Sequence, residues 1–413
     1  MELIEDVIKK RFNDSSFEYR AHCFREFLKS PVRTFKESPT IKDYVPLDED
    51  DLNNLLLDYE EYAELPDNNV EADILFVNDH IESVSENLKG RGVKVQDLLS
   101  VASETSHPLR EYIYAYFGLD REEFLINATW KNGYLIYIPD GVRNLEISVM
   151  VLTDSTNPSV LKNLIVVGND SNCVIKDKYV NYSAGKSVQG KTVYMHIGKR
   201  SHLSYHYIQE KNADVTDLTF VKSFLEEFSE FTFYHVNRGG SRVIFSNLSY
   251  MKGEGSNFKT FGVSYSDNDQ RFDIRDSSFQ TGKACNADIQ VRGVVKGKSL
   301  TIHRGNIDIE EMSVKSTGFY DSRILLLSKD GYANSKPGLI IRNNDTKSKH
   351  ASAISSLDKE QIFYLRSRGI PEKLAKSLMT EGFLLANLEK SNDLEMEEKV
   401  HRYSEEILRE PDS

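Results

Sequence analysis

From about residue 126 to 345 the chain has almost no helical periodicity and little proline, and this stretch limits the fold more than any other feature. Short β-branched or aromatic runs follow one another: Tyr134–Ile138, Leu164–Val167, Thr192–Ile197, Leu203–Ile208, Phe231–Val236, Val243–Phe245 and Ile324–Leu327. Gly, Asn, Asp and Ser separate them. Polarity alternates along most runs, the period of two that sends successive side chains to opposite faces of a sheet. A sandwich, a barrel or a β-solenoid would each give this text. Scarce proline leaves backbone pairing uninterrupted. Gly168, Gly198, Gly262, Gly293, Gly297 and Gly305 read as tight corners between flat sheets, which fits a solenoid. No repeat of fixed length is visible, so the pattern leaves the three architectures open.

Both flanks read as helical. In residues 1–125, Leu3, Val7, Ile8 and Phe12 recur at helical spacing, as do Phe17, Phe24, Phe27 and Leu28 before Pro31 breaks the pattern. Asp48 to Asp51 opens a further segment through Leu55 to Leu57, with acid well placed at a helix start. A short strand and turn fit Ile74–Asp79, and short helices fit Val95–Ala102 and Leu109–Phe117. In residues 350–413, Ser356 or Asp358 can cap a helix that Gly369 stops. Pro371 opens a second helix that Gly382 ends, and a charged third one spans about Asp393 to Arg409. These helices serve either as a docking module or as a simple cap on the β core.

With 52 basic and 64 acidic residues among 413, the formal charge of −12 gives no electrostatic reason to coat nucleic acid. No apolar run approaches the ~18–20 residues needed to span a bilayer. The first ten residues lack the charged-then-apolar order of a secretory signal. Cys23, Cys173 and Cys285 are scattered, with no CxxC, so neither a disulfide framework nor a self-contained metal site is written here. The expectation is a cytoplasmic protein with three buried, inert thiols.

One motif invites a nucleotide reading. Gly185, Gly190, Lys191 and Thr192 satisfy GxxxxGK[ST] within Gly185–Thr192. A working P-loop needs a helix directly after the lysine, because helix N-terminal amides supply much of the anion site. Thr192-Val193-Tyr194-Met195-His196-Ile197-Gly198 reads as a strand instead, so the match is taken as a turn between strands. His202 and His206, four apart on one strand face, could hold a metal, but no third ligand is evident nearby. His350 stands where the β text gives way to the C-terminal helices. A neutral imidazole there could bind iron or zinc, or simply bond to backbone.

The string Leu357-Asp358-Lys359-Glu360-Gln361-Ile362-Phe363-Tyr364-Leu365-Arg366-Ser367-Arg368-Gly369-Ile370 closely resembles the signature of the SufB/SufD family, scaffold components of SUF iron–sulfur cluster assembly. Three further segments resemble the family in type and order: Asn127–Ala128 through Trp130 to Val142, Leu325–Ser328 through Ser335–Pro337, and Ser348–Ser352 with His350 on the family's histidine. The resemblance implies a mainly β chain with helical ends. Its core would be a right-handed parallel β-helix over 126–349, flanked by a helical domain at 1–125 and a C-terminal helical domain at 350–413 that docks an ATPase. Implied partners are a SufC-type ABC ATPase, docked near Tyr364, Leu365, Arg368, Gly369 and Ile370, and a SufB-like chain or a second copy of itself. SufB-like members carry a cysteine before the last β segment, and Ser316–Arg323 has none, so the sequence looks SufD-like. One imidazole cannot hold a cluster. His350 is therefore expected to contribute one ligand to iron or a transient cluster at the partner interface, with no cofactor held stably and no catalysis. Two other functions remain as alternatives: an autonomous nucleotide-binding protein using Gly185–Thr192, and a β-helix carbohydrate-active enzyme. Against the second, Asp273 and Asp276 are three apart and face opposite sides of a strand.

Overall fold

The structure is a computed structural model that describes residues 16–30, 47, 49–55, 62–65, 71–114 and 120–406. Its strands, in chain order, are β1 (Ile74–Val77), β2 (His80–Val84), β3 (Lys94–Asp97), β4 (Tyr134–Ile138), β5 (Leu145–Thr153), β6 (Ser159–Val167), β7 (Asn172–Asn181), β8 (Val188–Ile197), β9 (His202–Lys211), β10 (Thr216–Leu225), β11 (Glu230–Gly239), β12 (Arg242–Met251), β13 (Asn257–Ser266), β14 (Arg271–Gln280), β15 (Asn286–Val295), β16 (Leu300–Ile309), β17 (Thr317–Leu326), β18 (Tyr332–Ile341) and β19 (Lys347–Ser356). From β4 onward even strands build one parallel sheet and odd strands the other. Each turn of chain lays one rung on each sheet, giving a β-helix of about eight turns. Antiparallel strands close its N-terminal end, β3 on β4 in the even sheet and β2 on β1 in the odd one.

Alternation along each strand divides its residues between the lumen and an outer face. The lumen is filled by stacked apolar side chains, among them Ile165, Met195, Val221 and Phe272 from the even sheet and Ile175, Phe233 and Ile289 from the odd one. In-register pairing puts like on like, so Phe231 stacks on Phe258 with ring centroids 5.8 Å apart. One corner repeats faithfully. Asp170, Arg200, Phe228, Gly255, Ala284 and Lys315 all take positive φ, and each donates its N–H to a carbonyl of the following turn. A small buried residue follows each: Ser171, Ser201, Ser229, Ser256, Cys285 and Ser316. Most of these corners are not glycine. Gly262, Gly293 and Gly305, expected at corners, lie inside β13, β15 and β16. There they supply space: a Cβ on Gly262 would come 2.3 Å from His235 Nε2, and one on Gly305 would come 1.7 Å from the Asp276 carbonyl oxygen.

The helices lie on the outer faces. α1 (Phe17–Lys29), α2 (Glu49–Asn54), α3 (Glu86–Gly90), α4 (Leu98–Ser103) and α5 (Arg121–Thr129) belong to the N-terminal part. Tyr19, Cys23 and Phe24 of α1, Val101 of α4 and Ile126 of α5 pack against Leu164, Tyr194 and Phe220 on the outer face of the even sheet. α6 (Lys359–Ser367), α7 (Glu372–Leu385) and α8 (Leu394–Glu405) follow the last rung. Leu384, Met396, Val400 and Tyr403 of α7 and α8 cover Ile208, Tyr234, Val263 and Tyr265 on the odd sheet. The C-terminal helices thus run along the side of the β-helix, and of the two readings offered for them the simple cap over its end is not what they form. Smaller corrections follow. Residues 94–97 are a strand because they pair with β4, Arg110–Tyr114 is a 3₁₀ turn, and α7 runs through Gly382 to Leu385. The helix expected over Leu3–Phe12 lies outside the described residues. No helix among the described residues is long and apolar enough to cross a membrane.

The seam between the N-terminal helices and the even sheet carries a costly buried cation. Lys162 is fully buried, donates to Asn127 Oδ1 at 2.6 Å and Tyr19 Oη at 3.2 Å, and lies over the Tyr19 and Tyr194 rings. Glu123, the nearby carboxylate, is already taken by Lys222 at 2.8 Å. Burial therefore pushes the Lys162 pKa down to about 7. An unfolded lysine holds its proton to about pH 10.4. Between pH 10 and 7 the unfolded chain thus gains a proton the folded one resists, and the full cost is present below 7. Lys162→Met is expected to stabilise the chain by about 1–3 kcal/mol at pH 7, the gain shrinking toward pH 10. Urea midpoints at the two pH values test this; a variant equally destabilised at both would contradict it.

Candidate functional site at the open end of the β-helix

Among the described residues no further strand or helix is laid across the C-terminal end of the β-helix. β18 and β19 are terminal in their sheets, and among the described residues no further strand pairs with their outer edges, while the opposite end finishes in the short antiparallel strands β2 and β3. Register assigns the lumen positions of this last rung. Ser335 lies over His303 and Leu339 over Ile307; His350 lies over Tyr320, Ser352 over Ser322 and Ile354 over Ile324. The mouth therefore has a polar half (Ser335, Ser348, His350, Ser352) and an apolar half (Leu339, Ile341, Ile354). Ile354 is 43% exposed and Ile341 41%, values no closed rung shows at its lumen positions. Ser335 Oγ and Ser348 Oγ are buried without a hydrogen-bond partner, which costs free energy until something supplies one.

His350 is exposed and belongs to the strand itself, because the β ladder continues to Ser356. Beneath it lies a polar column. His303 contacts Ser264 Oγ at 3.0 Å and Ser322 Oγ at 3.3 Å, and burial pulls its pKa down to about 4, so it is neutral at physiological pH. Asp276 accepts from Asn247 Nδ2 at 2.7 Å and lies 3.3 Å from His235 Nε2. Among the described residues no three His, Cys, Asp or Glu side chains converge as metal ligands. The cysteines do not help: all three are free and buried, and burial raises Cys23 to about 11 and Cys173 to about 12, so neither is a thiolate at neutral pH. A metal species at His350 would need ligands from another molecule.

Two residues after β19 the chain enters α6, capped by Asp358, whose carboxylate accepts from Glu360 N at 2.8 Å. α6 buries none of its residues. Phe363 is 73% and Tyr364 57% exposed, with the Arg368 guanidinium 5.3 Å from the Tyr364 ring centre. Leu365 and Ile370 are half-buried, and Gly369 makes the turn into α7 with φ +85°. Asp358, Glu360, Gln361, Tyr364 and Leu365 line a shallow depression of about 630 Å³. α7 adds exposed Leu374 and Leu378. The expected docking residues therefore share one exposed arm next to the open mouth.

Other sequence candidates fall elsewhere. Lys191 lies in β8 with its side chain in the lumen, its ammonium donating to Asp217 Oδ1 at 3.3 Å and lying 4.2 Å from the Tyr179 ring centre; Gly190 faces Ile126. Strand, not helix, follows the lysine. Asp273 is ion-paired with Arg304 on the outer face while Asp276 is inside, so the two carboxylates share no groove. His206, read as one of a metal pair with His202, instead contacts the carboxylate of Asp393 through Nδ1 at 2.6 Å. That carboxylate caps α8, accepting from Glu395 N and Met396 N, and His206 holds its pKa below the usual range. Glu210 accepts from Lys399, Arg402 and Tyr403, and Asn387 donates to the carbonyls of Gly262 and Gln290. This latch was missed because its partners lie far apart in the chain.

Residues 150–383 match the family model described as SUF system FeS cluster assembly, SufBD core domain, which is more than half the chain. The chain belongs to the SufBD family. It is SufD-like. It is 25% identical over 312 residues to "Iron-sulfur cluster assembly protein SufD" of Bacillus subtilis, covering 73% of this chain and 71% of that protein. A Staphylococcus epidermidis relative, "Iron-sulfur cluster assembly SufBD family protein", is 21% identical over 313 residues and is matched over 66% of its length. The match takes in β5 to α7 and thus the open rung, His350 and α6.

Breaking the latch should loosen the arm from the body. His206→Ala is expected to cost about 3 kcal/mol, because it strands a buried carboxylate. It should expose α7 and α8 to trypsin while the β-helix survives; unchanged proteolysis would show that apolar packing alone holds the helices.

Proposed function

We propose that this chain is a non-catalytic scaffold subunit of SUF iron–sulfur cluster assembly. It would pair through its open rung with a SufB-like chain or a second copy of itself, and bind a SufC-type ABC ATPase through α6 and the start of α7. The observation that carries the reading is the difference between the two ends of the solenoid: one finishes in the short antiparallel strands β2 and β3, whereas, among the described residues, the other finishes in two ten-residue parallel strands, β18 and β19, with a histidine in the polar half of the mouth. An exposed strand edge beside apolar side chains is a template for another chain. Partner strands laid on it would extend both sheets, bury Ile341 and Ile354, and bring foreign side chains against His350. In that setting iron or a nascent cluster is cargo, held for a time between His350 and the partner's thiolate. The nucleotide site would belong to the ATPase. A cytosolic location agrees with three cysteines that are free and buried.

A carbohydrate-active enzyme is disfavoured, since acid/base work on a glycosidic bond needs two carboxylates across a common groove. Asp273 is tied to Arg304, and Asp276 is enclosed.

Three substitutions separate the parts. Ile354→Glu places a charge on the apolar half of the mouth and should weaken chain pairing by at least ~10-fold without lowering stability, measured by sedimentation velocity. Tyr364→Ala with Leu365→Ala should remove ATPase co-purification and leave pairing intact. His350→Ala should keep both associations and reduce cluster formation in the reconstituted complex. Undiminished assembly with His350→Ala would remove the ligand role, and ATPase binding that survives the double substitution would move the docking site elsewhere.

A further inference from the structure

The lysine of the GxxxxGK[ST] string ends in a chamber that the scaffold role does not use. Just inside one corner of the lumen, where β5 and β9 end and β6, β8 and β10 begin, Thr153, Ser159, Gln189, Lys191, Lys211 and Asp217 line a cavity of about 10 Å³. That is room for a single water-sized particle. Two buried ammonium groups meet one carboxylate there. Lys191 donates to Asp217 Oδ1 at 3.3 Å. Lys211 donates to neutral oxygens, Gln189 Oε1 at 2.6 Å and Thr153 Oγ1 at 3.3 Å, and among the described residues no carboxylate lies within ion-pair reach of it. Asp177, the next carboxylate in the lumen, is occupied by the hydroxyls of Tyr134, Tyr179 and Tyr205 and acts on Lys191 only through space. Acceptors are scarce as well. Gln189 Oε1 has two lone pairs but faces three donors, Lys211 Nζ, Asn181 Nδ2 at 3.1 Å and Thr153 Oγ1 at 3.2 Å. Asp217 Oδ2 is taken by Thr219 Oγ1 at 2.6 Å. Gln209 Nε2, on the same face of β9 as Lys211, is buried without an acceptor. Burial, aided by the Lys191 charge, pulls the Lys211 pKa down to about 7, as befits a buried cation with no counter-ion beside it.

We propose that this chamber binds one monatomic anion, a halide such as chloride, held between the ammonium groups of Lys191 and Lys211. The local charge then balances, two ammonium groups against Asp217 and the ion. An enclosed charge without a partner is costly, and a counter-ion removes that cost. A halide accepts several N–H groups at once and donates none. A water would bring two more donors to a place where donors already exceed acceptors. Phosphate and sulfate are too large for the space, so a P-loop-like lysine serves here at a site that excludes nucleotide phosphates. Lys211 and Ser159, at strand ends, are 8% and 7% exposed, which puts the entry route at the corner and not along the lumen. The chamber belongs to the N-terminal turns, away from the C-terminal mouth, and the proposal is independent of the scaffold role.

Crystals of the full chain grown in sodium bromide test this. Anomalous scattering at the bromine edge should give a peak between Lys191 Nζ and Lys211 Nζ. In solution, exchanging gluconate for bromide or chloride at constant ionic strength should raise stability against urea. The folded-to-unfolded ratio should grow about tenfold for each tenfold rise in halide above its dissociation constant. Lys211→Met should lose both the peak and this dependence. A water in the cavity with no anomalous peak overturns the proposal, and so does a halide dependence that Lys211→Met retains. A peak with no dependence in solution marks an adventitious ion only and also overturns it. If Lys211→Met does not fold, the map and the halide titration of the unsubstituted chain decide between these outcomes.

Discussion

The parallel backbone ladder is the interaction on which everything else depends. Each rung satisfies the N–H and C=O groups of the rung before it and needs a successor for its own. A β-helix therefore cannot end without either a cover or an open edge. Antiparallel β2 and β3 finish the N-terminal end within the described residues. The C-terminal helices, which could have covered the other end, are drawn along the odd sheet by apolar packing and by the latch of His206 and Glu210. The edge left open is a consequence of where those helices find their burial.

The lumen explains why such a strut can carry polar groups without collapsing. Stacked aliphatic and aromatic rungs supply the burial, while enclosed polar groups are bonded along and between rungs, as Asp177 is by Tyr134, Tyr179 and Tyr205. Burial still raises the Asp177 pKa to about 6. Such groups are rigid because they have few alternatives. Toward the C-terminal mouth the column becomes histidine, serine and glycine, with glycines making room for His235 and His303. The polarity of the mouth is thus continuous with the rungs beneath it.

Much of this was legible in the sequence. Alternation located β4, β6, β8, β9, β11, β12 and β17, and the Leu357–Ile370 string pointed to the family and thereby to a solenoid that periodicity could not select. Fixed periodicity failed for a physical reason: Thr216 pairs with Arg242 but Leu300 pairs with Tyr332, so the turns differ in length by several residues even though the ladder is continuous. Corner identity was hidden because Asp, Arg, Phe, Ala and Lys occupy the left-handed position where glycine is easiest. The glycines that caught the eye serve packing instead. His350 was picked out, but its place within an open strand was not, because strand ends depend on pairing that no local pattern encodes. The His206–Asp393 contact joins residues from opposite ends of the fold and leaves no local trace.

The central claim is that the unpaired rung is the surface on which another chain is built. Hydrogen exchange mapped over the whole chain, alone and in the native complex, tests it most directly. The account predicts new protection concentrated in Tyr332–Ile341 and Lys347–Ser356, the two strands at the C-terminal edge of the sheets. Unchanged exchange there, with protection appearing on the outer sheet faces or at β2 and β3, would contradict it.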